Sequence, residues 1–240
     1  MEADYRSFNF QASRDRIDAI LDAPSGTFEE ADSLPDRSKL TYTNGFYANC
    51  SAVFIDIRDS SGLTSHYKRP RLARIYRSFI SEMVAAFSDH TRVREINIVG
   101  DCVWAVVNTP LRSQIDELFT VACTAHSIVD VLNVKLKKRD YDRTLAVGVG
   151  LDYGRALMVK AGYSGSGINE VVYMGDVVNS AAHLASQAHS AQWGRKAIHL
   201  SSGFYSNLNE HNQGLCEQYN YSHYKSSAVM TYMNDWVEEQ

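Results

Sequence analysis

The chain has 240 residues, of which 45% are apolar and 22% are charged, and its formal net charge is −4. This length is enough for one large domain, or for one domain with an extension, and the composition is ordinary for a soluble globular protein. The acidic balance argues against a general nucleic-acid binder. No stretch approaches the roughly 20 apolar residues of a membrane span, and the polar N-terminus does not resemble a signal peptide. We therefore expect a cytoplasmic protein that binds neither nucleic acid nor membranes.

The cysteines give no sign of a disulfide framework or a zinc site. Cys50, Cys102, Cys123 and Cys216 are widely spaced and form no CxxC pair. Three of the four lie in or beside apolar runs, so we expect free thiols, mostly buried, in a reducing compartment.

Residues 1–49 are predicted to be an N-terminal extension in front of a main domain at residues 50–240. Within the extension, residues 13–21 have an amphipathic helical pattern, with Ser13 as the expected N-cap. A polar, proline-containing stretch follows to about Lys39 and is typical of a loop. Residues 40–42 are predicted to form a short edge strand.

Residues 52–57 form an apolar, β-favouring run that predicts a buried strand. The run carries a single acid, Asp56, near its end, and a polar turn follows it. The backbone N–H groups of Asp59, Ser60 and Ser61 in that turn would suit a phosphate. An acid next to such a turn suggests a metal–nucleotide site, although a structural ion pair or a cap would explain Asp56 alone equally well.

A second acid is expected beside the first. Residues 95–107 contain two apolar runs around Gly100-Asp101, a pair typical of hairpin turns. Asp101 would then lie at the tip of a buried hairpin that can pair beside the first strand. Two strand-end aspartates could share a pair of divalent cations, because Mg²⁺ and Mn²⁺ favour oxygen ligands. Two such cations are a known solution for phosphoryl transfer.

The remaining segments alternate between helical and strand patterns. Gly154 is expected to break the long strand, and the glycine-rich loop is interpreted as a connector because no GK[ST] follows it. In the helix that begins at Asp176, Asn179 and His183 share a face. Together these segments predict an α+β fold in which helices cover a mostly antiparallel sheet. The predicted segments are helices at 69–90 and 113–138, a strand at 144–161, the loop at 162–167, a strand at 171–174, a helix from 176, a strand at 197–200 and a closing element at 229–236.

Three of these segments, in this order, resemble the catalytic domain of class III nucleotidyl cyclases. They are residues 54–61, the hairpin Gly100-Asp101 and residues 175–181, and the resemblance covers roughly residues 50–205. It implies a ferredoxin-like α+β fold and two divalent cations, Mn²⁺ or Mg²⁺. It also implies a nucleoside triphosphate substrate that is converted into a 3′,5′-cyclic nucleotide and pyrophosphate. The family works as a homodimer whose active sites lie at the interface.

The resemblance also carries roles over to individual residues of this sequence. Asp56 and Asp101 would be metal ligands, and Asn179 would orient the ribose or stabilise the transition state. The other implied site residues are the backbone at Ile57 as a further metal ligand, Ile57, Asp59, Ser60 and Ser61 around the triphosphate, and Asn97, Val172 and Tyr173 around the base.

The chain departs from the family pattern at three of these positions. Asn97 stands where adenylate cyclases have a lysine, and Val172 stands where they have an aspartate or a threonine. The adenine-reading pair is therefore absent, and so is the glutamate and cysteine of the guanylate version. His183 stands where the family has its transition-state arginine. The candidates to replace that arginine are His183, Arg58, Lys160 and Arg155.

Some features are more specifically similar to the pyrimidine cyclases of bacterial Pycsar anti-phage systems. They are the compact single domain, the turn at residues 56–61, the helix residues 76–79 and the run at residues 162–172. This resemblance implies cyclic UMP or cyclic CMP as the product, and a separate effector that the product activates. UTP is taken as the first choice of substrate.

Several alternatives remain open at this point. The chain could be a cytidylate or an adenylate cyclase, or an inactive cyclase-like module that binds a nucleotide as a sensor. The missing arginine favours the inactive module, and the paired acids oppose it. A diguanylate cyclase would need a different hairpin from the one at residues 100–103, and a purely structural α+β protein would leave both acids unexplained.

Overall fold

The computed structural model describes residues 5, 7–24, 28–162, 169–188 and 197–240. In these ranges the helices are α1 (Phe10–Leu21), α2 (Ser60–His66), α3 (Arg69–Ser88), α4 (Arg112–Lys137), α5 (Asp176–Gln187), α6 (Ser202–Tyr205), α7 (Glu210–Gly214) and α8 (Thr231–Glu238). The strands are β1 (Phe28–Glu30), β2 (Gly45–Ile57), β3 (Val93–Val99), β4 (Cys102–Val107), β5 (Val147–Gly162), β6 (Asn169–Met174), β7 (Ile198–Ser201), β8 (Glu217–Gln218) and β9 (His223–Ser226).

The chain divides into two compact units. We call residues 1–49 and 155–175 the small unit, and residues 50–154 and 176–240 the large unit. Strand β2 begins in the small unit and ends in the large unit, whereas β5 begins in the large unit and ends in the small unit. The division into an extension at 1–49 and a catalytic domain at 50–240 stays a prediction.

The sheet of the large unit positions everything discussed below. Its strand order is β3-β4-β2-β5-β7-β9-β8. The pairs β3–β4, β2–β4, β7–β9 and β8–β9 are antiparallel, whereas β5–β7 is parallel. This is the mostly antiparallel α+β sheet that the sequence predicts.

One face of this sheet is the main hydrophobic core. Alternate residues of β2 point into it, because side chains along a strand alternate between the two faces; Val53, Ile55 and Ile57 are all buried. The apolar stripes of α3 and α4 pack against them with the helical spacing of three and four residues. The buried members of these stripes include Ile75, Phe79, Met83 and Phe87 in α3 and Ile115, Leu118, Phe119, Ala122, Ala125, Val129, Leu132 and Leu136 in α4.

The opposite face is more open and is partly covered by α5. On this face Phe54 stacks on Trp104 of the neighbouring strand, with ring centroids 5.1 Å apart. Further along the sheet, β5 presents Gly150, and a Cβ there would lie 2.0 Å from the carbonyl oxygen of Ala181 in α5. Glycine is therefore required for the helix backbone to lie this close to the strand.

The small unit contains its own pairings. Strand β1 runs parallel to the first residues of β2, and the second half of β5 pairs with β6 in an antiparallel hairpin. Arg155 forms an ion pair with Glu30, and Arg37 forms one with Glu170 at 2.8 Å. No residue of α1 is buried.

The structure confirms most of the predicted elements and corrects five details. Helix α1 is capped by Asn9, whose side chain accepts from the backbone N–H of Ala12, so Ser13 lies inside the helix and is not its cap. Residues 40–42 form no strand, and residues 28–30, predicted to be loop, form β1. Gly154 does not interrupt β5, because pairing beyond it outweighs the weak strand preference of glycine. The polar turn after Ile57 is the start of a helix, α2.

Some other expectations have a simple outcome. Of the predicted glycine-rich loop, residue 162 ends β5 and residues 163–168 lie outside the described ranges. The four cysteines are free thiols, two of them buried and two half-buried. In the described ranges, no helix has the length and apolar character needed to cross a membrane.

Candidate active site

The structure brings Asp56 and Asp101 together at one end of the sheet. Asp56, near the end of β2, pairs directly with Cys102, the first residue of β4, and Asp101 precedes that residue in the hairpin turn. The pKa of Asp56 is raised, first by burial and further by the negative charge of Asp101, while Arg58 opposes this shift. The negative charge of Asp101 therefore acts on Asp56, as is expected if the two carboxylates bind the same cations.

Arg58 is the immediate partner of Asp56. Its Nη2 forms an ion pair with Oδ2 of Asp56, and its Nη1 donates to the carbonyl oxygen of Ser186 at 2.8 Å. Ser186 lies in the last turn of α5, so one guanidinium ties the strand-end acid to that helix. Arg58 is one of the candidates to replace the transition-state arginine, and in this structure it is paired with Asp56.

The segment after Asp56 combines buried backbone with a helix start. Ile57 is buried, and Asp59 adopts a left-handed conformation with φ 54° as the N-cap of α2. Ser60 and Ser61 are the first two residues of that helix, and no side chain caps it. Because the first N–H groups of a helix have no partner within the helix, those of α2 are placed to bind an anion.

Tyr76 of α3 lies near these residues. It is one of the helix residues 76–79, but no role in the site was predicted for it from the sequence. Its pKa is raised, first by burial and then by the negative charge of Asp101, whereas a hydrogen bond with Ser60 lowers it. Its hydroxyl group is therefore close enough to Asp101 and to Ser60, at the start of α2, to be affected by both. A tyrosine at a core spacing gives no signal of this role, because only the packing of α3 shows which end of the ring meets the site.

Asn179 and His183 lie on the exposed side of α5, as their spacing predicts. The helix packs on the sheet through Val177, Ala181 and Leu184, which are buried. His183 Nε2 accepts from Nε2 of Gln187 at 2.8 Å, with the imidazole in the matching tautomer. Among the described residues, no hydrogen bond or ion pair joins Asn179 or His183 to either aspartate. A site shared between two chains needs none within one chain.

The expected base-reading residues divide between the two units. Asn97 lies on β3 in the large unit, opposite Trp104, and its side-chain Nδ2 is buried without a hydrogen-bond partner among the described residues. Val172 and Tyr173 lie on β6 in the small unit, where Val172 is exposed and Tyr173 is buried.

The two remaining candidates for the missing arginine, Lys160 and Arg155, also lie in the small unit. The ammonium group of Lys160 lies over the ring of Tyr42, and the guanidinium of Arg155 lies over that of Tyr47. Arg155 is also paired with Glu30. Both cations therefore have partners within their own unit.

The donor set at the end of β2 suits a hard divalent cation. In the described ranges, no three His, Cys, Asp or Glu side chains form a ready-made metal cluster. Two carboxylates and the adjacent backbone carbonyl of Ile57 nevertheless supply only oxygen, which Mg²⁺ and Mn²⁺ prefer, and bound phosphate would complete their coordination. The residues present therefore fit a cation that arrives together with a phosphorylated substrate.

Comparison with known sequences gives the family. The model of the adenylate and guanylate cyclase catalytic domain matches residues 43–234. The chain belongs to this family. Nucleotidyl cyclases form a cyclic nucleotide from a nucleoside triphosphate, and this chain is a nucleotidyl cyclase enzyme.

Two curated relatives of this cyclase align over most of its length. A protein named uridylate cyclase from Gulbenkiania mobilis is 39% identical, with 100% of this chain and 99% of the relative covered. Another uridylate cyclase, from Treponema porcinum, is 34% identical, with 97% of this chain and 82% of the relative covered.

Solved structures confirm that the cyclase has the class III fold. The adenylyl cyclase CyaB from P. aeruginosa superposes with a TM-score of 0.64 at 16% identity, covering 78% of this chain and 98% of that one. A class III adenylyl cyclase-like ATP-binding protein from Pseudomonas aeruginosa gives a TM-score of 0.68 at 17% identity, covering 93% of this chain and 48% of that one. At these identities the likeness concerns the fold alone.

Proposed function

We propose that this cyclase converts UTP into 3′,5′-cyclic UMP and pyrophosphate. The observation that carries the proposal is the full-length similarity to two proteins named uridylate cyclase, at 39% and 34% identity. The absence of the adenine-reading lysine supports it, because Asn97 stands at that position.

Asp56 and Asp101, with the backbone carbonyl of Ile57, would hold two divalent cations, Mn²⁺ or Mg²⁺. When bound, such cations activate the ribose 3′-hydroxyl group and neutralise the charge of the triphosphate. Support comes from the strand pairing that places Asp56 opposite Cys102, the residue after Asp101. The negative charge of Asp101 also adds to the effect of burial in raising the pKa of Asp56.

The start of α2 would bind the triphosphate. Its first N–H groups, at Ser60 and Ser61, are donors at the positive end of a helix. The left-handed conformation of Asp59 turns the chain from β2 directly into that helix, so these donors follow closely on the metal-binding end of the strand. The backbone of Asp59 and the two serines would line the same cradle.

Asn97 would read the base. A carboxamide both donates and accepts hydrogen bonds, and the uracil edge presents an N3–H donor between two carbonyl acceptors. The buried Nδ2 of Asn97, which has no hydrogen-bond partner among the described residues, supports a donor reserved for a ligand, since buried polar groups are normally paired. The resemblance also gives Val172 and Tyr173 a role in contacting the base.

The active enzyme would be a homodimer in which each site is shared. One chain would supply Asp56 and Asp101, and its partner would supply the exposed side of α5. Asn179 would orient the ribose there, and His183 would donate a hydrogen bond to the phosphate undergoing attack. Within the described part of the chain, neither Asn179 nor His183 forms a hydrogen bond or ion pair with Asp56 or Asp101, which is compatible with this arrangement.

The product would act as a signal in defence against phages. The similarity to Pycsar pyrimidine cyclases supports this role, in which cyclic UMP activates a separate effector protein. The enzyme itself would work in the cytoplasm and would need neither nucleic acid nor a membrane.

The test is to incubate the purified enzyme and Mn²⁺ with each of the four nucleoside triphosphates separately. We expect UTP to give cyclic UMP and pyrophosphate, resolved by chromatography and mass spectrometry. An Asp56→Ala variant is the matched blank for contaminating activity.

Each other outcome assigns a different function. Preferential turnover of CTP would make the protein a cytidylate cyclase, and turnover of ATP alone would overturn the pyrimidine assignment. Binding of a nucleotide without turnover, under any of these conditions, would favour the inactive sensor module.

A further inference from the structure

Arg58 makes an unusual pair of contacts for a residue next to a metal-binding acid. Its guanidinium holds Oδ2 of Asp56 with one nitrogen and the Ser186 carbonyl with another, at 2.8 Å. The side chains of Arg58 and Asp56 are only 21% and 33% exposed, so this ion pair is poorly screened by solvent. The contact therefore stabilises the negative charge of Asp56 more than an ion pair at the protein surface would.

The third nitrogen of the same guanidinium, Nε, differs from the other two. Arg58 Nε is buried and has no hydrogen-bond partner among the described residues. A purely structural arginine would be expected to use all its buried donors, because an unsatisfied one is unfavourable. The position of Arg58 is thus better explained by its charge than by a complete hydrogen-bond network.

We infer that Arg58 is the resident counter-cation of Asp56, which an incoming divalent cation must displace, and that this displacement releases the end of α5. The inference rests on the proposed function, since it takes Asp56 to be a metal ligand. Arg58 is here a positioning residue that acts through Asp56.

The physical reason is repulsion between like charges. A guanidinium and a divalent cation on the same carboxylate would lie only a few ångströms apart, in a partly buried site where Coulomb interactions are stronger than in water. Free cations would therefore bind weakly, whereas a cation that carries a triphosphate brings enough negative charge to accommodate the freed guanidinium. Arg58 would thus favour the metal–nucleotide complex over the free metal ion.

The second contact gives this exchange a consequence at a distance. Ser186 is in the last turn of α5, and that helix carries Asn179 and His183. When the guanidinium leaves Asp56, the tie to the Ser186 carbonyl is also lost. Cation entry at one site would therefore loosen the end of the helix that serves the other site of the dimer.

The first test is the affinity of the nucleotide-free enzyme for Mn²⁺, measured by electron paramagnetic resonance at pH 7.5. We expect Arg58→Gln to bind Mn²⁺ at least about threefold more tightly than the wild type, because a nearby positive charge is removed. Unchanged or weaker binding would overturn the inference. Arg71→Gln is the matched control, since Arg71 donates to the carbonyls of Arg139 and Asp140 and to no carboxylate of the site.

The second test follows hydrogen exchange of the α5 amides at residues 184–188 with and without Mn²⁺. In the wild type, Mn²⁺ should speed their exchange. In Arg58→Lys, which keeps the charge but cannot hold two partners as a guanidinium does, Mn²⁺ should leave the exchange unchanged. If Arg58→Gln does not fold, this comparison decides, and a wild-type helix end insensitive to Mn²⁺ would refute the tie.

Asp56→Ala separates failure of this inference from failure of the proposed function. If Asp56→Ala loses Mn²⁺ binding while Arg58→Gln binds as the wild type does, only the role of Arg58 is wrong. If Asp56→Ala binds Mn²⁺ normally, the metal site itself has been misplaced.

Discussion

The pKa of Asp56 is set by influences that oppose one another. Burial and the charge of Asp101 raise its pKa, and Arg58 lowers it. An isolated acid would gain by ionising in water, so a partly buried pair of carboxylates is unfavourable to the fold by itself. Such an arrangement is typical of a functional site, where a bound cation provides the compensation that the protein alone does not.

At the scale of single residues, the sequence predicted these two aspartates but not the residues around them. A lone acid in an apolar strand and a Gly-Asp turn are visible as local patterns, and both lie where they were expected. Tyr76 was given no role in the site, and the carbonyl of Ser186 has no sequence signature, since every residue has a carbonyl group. Their roles depend on which atoms the fold brings next to Asp56.

His199 gives a pH-dependent prediction at the same scale. Burial, with smaller contributions from the positive charges of His223 and Lys225, lowers its pKa to about 4. The unfolded chain binds a proton near the ordinary value of 6.5, so the fold loses stability as the pH falls from 6.5 towards 4. The loss attributable to His199 should reach about 3 kcal/mol at the lower limit.

Urea unfolding of the wild type and His199→Gln at several pH values between 7.5 and 4.5 measures this effect. The variant should show a flatter dependence, and the values at pH 7.5 give the packing loss to be subtracted. Parallel curves for the two proteins would show that His199 does not carry the effect.

At the scale of elements, the contact between α5 and β5 decides where Asn179 and His183 stand. A Cβ at Gly150 would lie 2.0 Å from the Ala181 oxygen and 2.4 Å from the Ala185 nitrogen. Both are backbone atoms of the helix, so no side chain can move aside to make room. The helix as a whole would have to shift.

We therefore expect Gly150→Ala to destabilise the fold by about 2–3 kcal/mol, and to lower turnover in the fraction that stays folded. Chemical denaturation and a cyclase assay on the same preparation measure both effects. Gly154→Ala is a control in the same strand, because a Cβ there meets only the Cβ of Val177 at 3.6 Å, an ordinary contact. Equal losses from both substitutions would contradict this account.

The elements that the sequence missed share a cause. Strand β1 has three residues and α2 has seven, so neither is long enough to show a hydrophobic period. The strand exists because β2 offers it hydrogen bonds, and the helix begins where Asp59 turns the chain sharply. Longer elements such as α3 and α4 were predicted almost to the residue, since their stripes repeat many times.

At the scale of the whole molecule, a shared active site predicts complementation between inactive chains. Asp56→Ala and Asn179→Ala homodimers should each be inactive, because each lacks one half of both sites. In an equal mixture that exchanges subunits freely, half the dimers are mixed and each has one intact site. About a quarter of the wild-type activity should then return.

Cyclic nucleotide formation is measured after mixing, and capture through a tag on one variant verifies subunit exchange. Activity that stays at the level of the parents, in mixtures shown to contain mixed dimers, would mean that each chain has a complete site of its own.

The sequence by itself determined an α+β fold with a mostly antiparallel sheet and the two acids of the candidate site, because strand alternation, helical stripes and a Gly-Asp turn are local patterns. The class III cyclase fold came from the resemblance of three segments to that family. Only the tertiary structure decided the partners of Arg58, which donates to a carbonyl 128 residues further along the chain. The tertiary structure also decided that Tyr76 lies near Asp101 and that α5 packs closely against Gly150. Contacts between residues so far apart follow from how the elements pack, and periodicity within one element carries no information about its neighbours.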